Sequence, residues 1–382
     1  MQPIYIQTQT AFDEAVAQLE RHPAIALDTE FDNNHYRYGF TLCLLQIATT
    51  DACYLIDPYE VSDLSALWKV LENPQIEKIF HDCGEDMRLL RLHDCRPKRI
   101  FDTSTAVKLL GYERIGLGSV LSEVLGVTFD KKKQYSNWTL RPLTEAQLLY
   151  AAQDVLYLGA LREELYKQLK AQNRWEWFEQ SMQFLEKKNF AIEPKTTFLS
   201  HKEQREYPPF DQYVLNELYR FRDTQAQRVN RPVYQVISDG ILNQILHNPA
   251  ILKNWTTLKG IHHRLLNAPT AAALDRCYRE AQATATTMGL SKKLQRAPQA
   301  EIALTQERLR RQRYLKEGVF MPIKKQIESQ YGLQLTPYIL SNEIINTLVG
   351  GQQKLPDITS EFQQNIIKEA AYTLQLDISA YC

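Results

Sequence analysis

Two hydrophobic periods alternate along roughly the first 160 residues. The segments AIALDTE (24–30), LCLLQIAT (42–49) and ACYLID (52–57) are short apolar runs bounded by polar residues, which predicts three successive strands. The connection at Thr50 and Asp51 is tight enough to make the second and third a meander. IEKIF (76–80) predicts a fourth strand. Helical periodicity covers 62–71, 84–93, 101–111 and 117–126, the last two stopped by Gly111 and Gly126. One long helix is predicted over 144–172, with Thr144 as its N-cap. Strands first and β/α units afterwards predict an α/β sandwich, a mixed sheet flanked by helices.

Beyond residue 186 the pattern changes. KKNFAIEPKTTFLSHKEQREYPP is rich in charge, Pro and Thr and reads as a linker. From Phe210 to Met288 the period is purely helical, broken at Pro232, Pro249 and Pro269, and a further helical stretch runs from Pro298 to the C-terminus. The expected division is 1–185, an α/β domain; 186–209, a linker; 210–290, a helical domain; and 291–382, a second, divergent helical domain. Proline-led turns in both helical parts (NRPVYQVISD, LTPYILSNE) are compatible with a degenerate duplication.

With 382 residues the chain exceeds one ordinary core. Lys+Arg and Asp+Glu each number 45, so no global field attracts a polyanion and any nucleic-acid contact must be local. Six scattered cysteines without a Cys-x-x-Cys pair argue against a zinc site and a disulfide scaffold. The N-terminus lacks the features of a signal peptide, and no apolar run approaches the ~18 residues of a membrane span. The expected compartment is the cytoplasm.

The chemistry lies in the carboxylates. Asp28 and Glu30 alternate with Thr29 at a strand end, so they share one face and repel unless a cation lies between them. Mg²⁺ suits such an oxygen pair. Tyr150 and Asp154, four apart on a helix, also share a face. Asp86 opens the helix after HDCG, with Asp82 and Glu85 as competitors for any role there. Each element alone has an ordinary explanation: a solvated edge, a core tyrosine, an acid favoured by a helix dipole.

DTEF, HDCGEDMRLL and YAAQD, in this order and at these separations, resemble the DEDD superfamily of exonucleases, and within it the ribonuclease D family. LLQIA (44–48), LIDP (55–58), FDT (101–103) and RPLTEAQLLYAAQDVLYL (141–158) extend the resemblance, while SNW (136–138) departs from the family's Ser-Asp-Trp. Leu149 occupies the position where another branch carries His, so the chain falls in the tyrosine branch. The resemblance implies an RNase H-like 3′→5′ exonuclease domain with two Mg²⁺ or Mn²⁺ ions held by Asp28, Glu30, Asp86 and Asp154, and Tyr150 orienting the attacking water. It implies RNA with a free 3′ end as substrate, tRNA precursors among them, and no obligate protein partner. Phe31, Trp138 and Arg141 are candidate contacts to the substrate strand, and Lys131–Lys133 candidate phosphate contacts.

LNELYRFRDTQAQRVNRPVYQVISDGIL (215–242) resembles an HRDC domain, a helical nucleic-acid-binding module. Residues 210–290 carry nine Lys/Arg against six Asp/Glu, and 291–316 eight against two, so the second run is the stronger candidate for phosphate binding. Two rival readings are a DNA exonuclease of repair or proofreading type and a catalytically silent RNA-binding protein. All five motif positions carry competent residues, which argues against silence.

Overall fold

The apolar runs do become strands, and the sheet they build places the acidic strand inside it. The structure, a computed structural model, describes residues 1–128, 136–191, 195–294 and 299–382; Lys131–Lys133, Arg296 and Pro298 lie outside the described residues. Contacts divide the chain into two units, one of residues 1–30, 42–191 and 300–382, the other of residues 31–41 and 192–299. This grouping cuts across the linear division expected from the sequence.

In the first unit the order is β1 (Ile4–Ile6), α1 (Gln9–Leu19), β2 (Ala24–Asn33), β3 (Phe40–Ala48), β4 (Cys53–Ile56), α2 (Ser65–Glu72), β5 (Glu77–Phe80), α3 (Gly84–Leu92), β6 (Ile100–Asp102), α4 (Thr103–Leu110), α5 (Leu117–Leu125), α6 (Glu145–Leu156), α7 (Leu158–Ala171) and α8 (Trp175–Lys187). The sheet order is β1-β4-β3-β2-β5-β6. β3 and β4 pair antiparallel; β1 with β4, β2 with β5 and β5 with β6 pair parallel. The sheet is therefore mixed, as expected. β2 is interior, which is why Ile25, Ala26 and Leu27 are all buried rather than alternating. The outer strands β1 and β6 have three residues each, too few to show a period.

The helix expected over 144–172 is two helices. α6 opens with a capping box between Thr144 and Gln147, and the helix is interrupted by a turn at Tyr157 (φ −107°, ψ −3°) before α7. The bend lets Leu158, Leu161, Leu165 and Leu169 bury a second face.

The second unit contains α9 (His201–Glu206), α10 (Pro209–Val229), α11 (Val233–Val236), α12 (Asp239–His247), a 3-10 segment (Pro249–Thr257) and α13 (Ala268–Thr287). α10 ends at Asn230 in a left-handed conformation, two residues before Pro232. Leu215, Leu218, Leu242, Ile245, Trp255 and Leu274 belong to its core. Residues 31–41, around the turn from β2 to β3, join this unit: Tyr38 donates its hydroxyl to Asp223 at 2.7 Å, and Tyr234 donates to the His35 carbonyl at 2.9 Å.

α14 (Gln299–Leu315) buries no residue. It is followed by α15 (Met321–Tyr331), α16 (Thr336–Ile339), α17 (Asn342–Gly350), α18 (Leu355–Ile358) and α19 (Glu361–Thr373). α19 packs on α15 and on α8. The Phe362 ring stacks on Trp177 at 5.2 Å and 12°, and Gln363 donates to the Tyr338 carbonyl at 2.6 Å. Among the described residues no helix is long and apolar enough to cross a membrane.

Candidate active site

β2 delivers Asp28 and Glu30 on one face, and α6 carries Asp154 to them. Ligand oxygens of these three carboxylates all lie within 4.8 Å of one another. Strand alternation on β2 thus sets Asp28 and Glu30 side by side, with Asp154 of α6 beside them.

The electrostatics follow from that crowding. Burial, then the Asp154 charge, raises the Asp28 carboxyl to about 8. Burial also raises Asp154 to about 7, against a hydrogen bond from Tyr150 that favours its charged form. Glu30 is pushed well above its ordinary range by burial, then by Asp28, Asp154 and Asp86. Three like charges this close cannot all ionise at neutral pH without a counter-charge. The donor set is all oxygen and hard, and the mutual repulsion is what a bound divalent cation relieves, so the residues present fit such an ion.

Asp86 stands apart from that trio. It is buried at the start of α3, where Thr29 donates its hydroxyl to Asp86 Oδ1. Burial, then the Asp28 charge, raises its pKa well above the ordinary value, while the Thr29 hydrogen bond opposes the rise. Thr29 is the residue that sequence reasoning missed. It sits between the two ligands and points to the opposite face, and only the fold brings α3 there.

Burial, then the charges of Asp154, Glu30 and Asp28, raises the pKa of the Tyr150 phenol, so it remains protonated at neutral pH. Trp138 is buried, its ring centroid 6.3 Å from that of Tyr150, and its indole N–H has no hydrogen-bond partner among the described residues. Trp138 therefore walls the tyrosine.

Arg141, expected as a substrate contact, is engaged by the protein itself. Its Nε and Nη2 donate to the two oxygens of Asp57, at 2.5 and 2.8 Å, Nη2 also to the Cys43 carbonyl, and Nη1 to the Trp138 and Leu140 carbonyls. All five N–H groups are used, so none remains for a phosphate. Asp57, fully buried, also accepts from the Tyr5 hydroxyl at 2.5 Å. Burial pushes its pKa up, but the bonds from Arg141 and Tyr5 outweigh this and hold it below the usual carboxylate range. Arg141 thus ties the loop before α6 to β3 and β4. Phe31 falls among residues 31–41, its ring edge-on to Phe40 at 4.9 Å.

A carboxylate trio beside a protonated tyrosine, between an inner strand and a helix of a mixed α/β sheet, has the chemistry of a metal-dependent phosphodiester hydrolase. The family model described as 3′-5′ exonuclease matches residues 3–170. The chain is 34% identical over 238 residues to ribonuclease D of Shewanella sp. (strain ANA-3), covering 62% of this chain and 61% of that protein. It is 30% identical over 281 residues to ribonuclease D of Nitrobacter hamburgensis, covering 71% and 73%. The crystal structure of Escherichia coli RNase D, at 23% identity, superposes over 98% of both chains with a TM-score of 0.69, which shows the shared fold. The chain belongs to the ribonuclease D family of 3′-5′ exoribonucleases.

Proposed function

We propose that this chain removes nucleotides one at a time from the free 3′ end of RNA, tRNA precursors among its substrates, releasing 5′-nucleoside monophosphates in the cytoplasm. The observation that carries the reading is the mutual approach of Asp28, Glu30 and Asp154 within 4.8 Å. Two Mg²⁺ or Mn²⁺ ions bound there would lower the pKa of a water and neutralise charge on the leaving 3′-oxygen.

The residues have separable tasks. Asp28, Glu30 and Asp154 would hold the metal through their carboxylate oxygens. Asp86, one oxygen of which accepts from Thr29, would support that metal site with its remaining oxygen. Tyr150 keeps its proton and orients the attacking water by hydrogen bonding, since burial and the neighbouring carboxylates raise its pKa and make it a poor base at neutral pH. Water adds to the terminal phosphorus as the bond to the preceding 3′-oxygen breaks, and that oxygen leaves with a proton. Trp138 holds the tyrosine ring from behind.

Purified protein is given RNA and DNA oligomers with 3′-hydroxyl or 3′-phosphate ends, with Mg²⁺, Mn²⁺ or EDTA. Stepwise mononucleotide release from 3′-hydroxyl RNA, abolished by EDTA, is expected. Equal turnover of DNA would replace the RNA assignment with the DNA exonuclease reading, and turnover in EDTA would end the metal assignment.

A further inference from the structure

The second unit contains a groove that the catalytic residues do not use. Phe221, Gln225, Arg228 and Val229 lie four, three and one apart on α10 and therefore share one face of that helix. Opposite them stand Arg264, Leu265 and the first turn of α13, around a cavity of about 490 Å³. Phe221, Val229 and Leu265 give it an apolar floor, since all three pack in or against the unit's core. Asn267 fixes the rim: its Nδ2 donates to the Arg264 carbonyl at 2.8 Å and its Oδ1 accepts from the Thr270 N–H at 2.9 Å.

Charge is the second observation. Among the described residues the lining has two arginines and no acidic residue. Neither the Arg228 nor the Arg264 guanidinium has a hydrogen-bond or ion-pair partner among the described residues, and both residues are exposed. Positive groups accumulate beside the groove. Burial, then the charges of His263, Arg231 and Arg264, holds the His262 imidazole below its usual range. The His262 and His263 rings lie 4.3 Å apart. Two unpaired guanidiniums at the rim of an aromatic-floored groove suit a planar base below and a phosphate above.

We propose that this groove binds one nucleotide of the single-stranded RNA substrate, with Arg228 and Arg264 on its phosphate and Phe221 against its base. The proposal rests on RNA being the substrate, and it deepens that reading by giving the helical unit a defined contact. The groove acts on affinity; the hydrolytic step belongs to the carboxylates.

The test uses the full chain in EDTA, so that RNA stays intact. Fluorescence anisotropy measures binding of a labelled single-stranded RNA across a KCl series, for the wild type, the double variant R228Q/R264Q and Phe221→Leu. Each phosphate contact on a single strand contributes about 0.7 to the slope of log affinity against log salt, so the double variant should be flatter by about 1.4. At low salt it should bind at least about fivefold more weakly. F221L should weaken binding without changing the slope. With metal restored and RNA saturating, kcat should be unchanged in all three. Equal affinity and equal slope in R228Q/R264Q would overturn the proposal. So would loss of binding to AMP or inorganic phosphate, followed by NMR, with RNA binding intact, because the groove would then hold a free anion. If the wild type binds RNA with the predicted slopes but releases no mononucleotide, the catalytic reading fails and the groove stands.

Discussion

Asp28 and Asp154, at about 8 and about 7, retain protons near neutrality in the metal-free protein. Both folded values lie above the roughly 3.9 of a free aspartate, so the folded state binds more protons than the unfolded chain between those limits. Their contribution to stability is full below about pH 4 and is lost as pH rises through 7 and 8. The melting temperature in EDTA should therefore fall between pH 6 and 8.5, and Mg²⁺ should flatten that fall by supplying the missing positive charge. Asp28→Asn should melt higher than the wild type in EDTA at pH 8.5, yet lose at least about 10³-fold in turnover, since a charged ligand to a metal-dependent step is gone. Thermal scans and single-turnover assays check both signs; an unaltered rate in D28N would end the assignment of Asp28. Thr29 gives a finer test. Thr29→Val removes the hydroxyl that holds Asp86 while keeping the branched shape. Calorimetric titration with Mn²⁺ should show one of two binding events weakened by about tenfold, the scale of losing a ligand-orienting partner, with Thr29→Ser restoring it. Equal titrations would leave Thr29 a packing residue.

At the scale of elements, the position of α6 depends on Arg141 more than on its own cap. Asp57 is fully buried, and removing its partner leaves an uncompensated charge. Arg141→Gln should cost about 3–5 kcal/mol, the range for breaking a buried pair, and Asp57→Asn should also destabilise. The useful comparison is KM: Arg141 as an RNA contact would raise KM far more than Asp57→Asn does, whereas a tie for the loop makes the two variants alike in urea unfolding and in kinetics. The elements also explain what could be read beforehand. Asp28 with Glu30, and Tyr150 with Asp154, were legible because each pair depends on a local period, 2 or 3.6 residues. The tie of Arg141 to β3 and β4 was not legible, because Cys43 and Asp57 lie 98 and 84 residues away. Nor was the bend at Tyr157: no Pro marks it, and the apolar period runs on across it. Thr29 was hidden for the opposite reason. Its local period pointed away from the site, and only the placement of α3 gave it a carboxylate to hold.

For the whole molecule, the consequence concerns residues 300–382, which were expected to form a separate helical domain and instead share a unit with the α/β sheet. α19 covers α8 through the Phe362 and Trp177 rings, Tyr331 lies against Trp177 at 5.8 Å, and the Tyr338 ring lies 6.3 Å from Phe362. Gln363 of α19 donates to the Tyr338 carbonyl at 2.6 Å, which ties α16 to α19. A chain ending at residue 299 would bare this aromatic face. Burying one large apolar side chain is worth roughly 1.5–3 kcal/mol, and several are uncovered together. The apparent melting temperature of the shortened chain should therefore fall by at least about 10 °C. Trp177→Ala in the full chain should move it in the same direction by less. The comparison that decides is with a variant altered only in α14, where Arg308, Arg310, Arg311 and Arg313 are exposed and the helix buries nothing. Replacing these four with Gln should leave the melting temperature within about 2 °C, because surface changes away from packing rarely exceed ±0.5 kcal/mol each. Differential scanning calorimetry on the full chain and the three variants measures all of these. If the chain ending at 299 melts like the full chain, then residues 300–382 add no stability to the α/β unit, and the stacking of Phe362 on Trp177 is incidental to its fold.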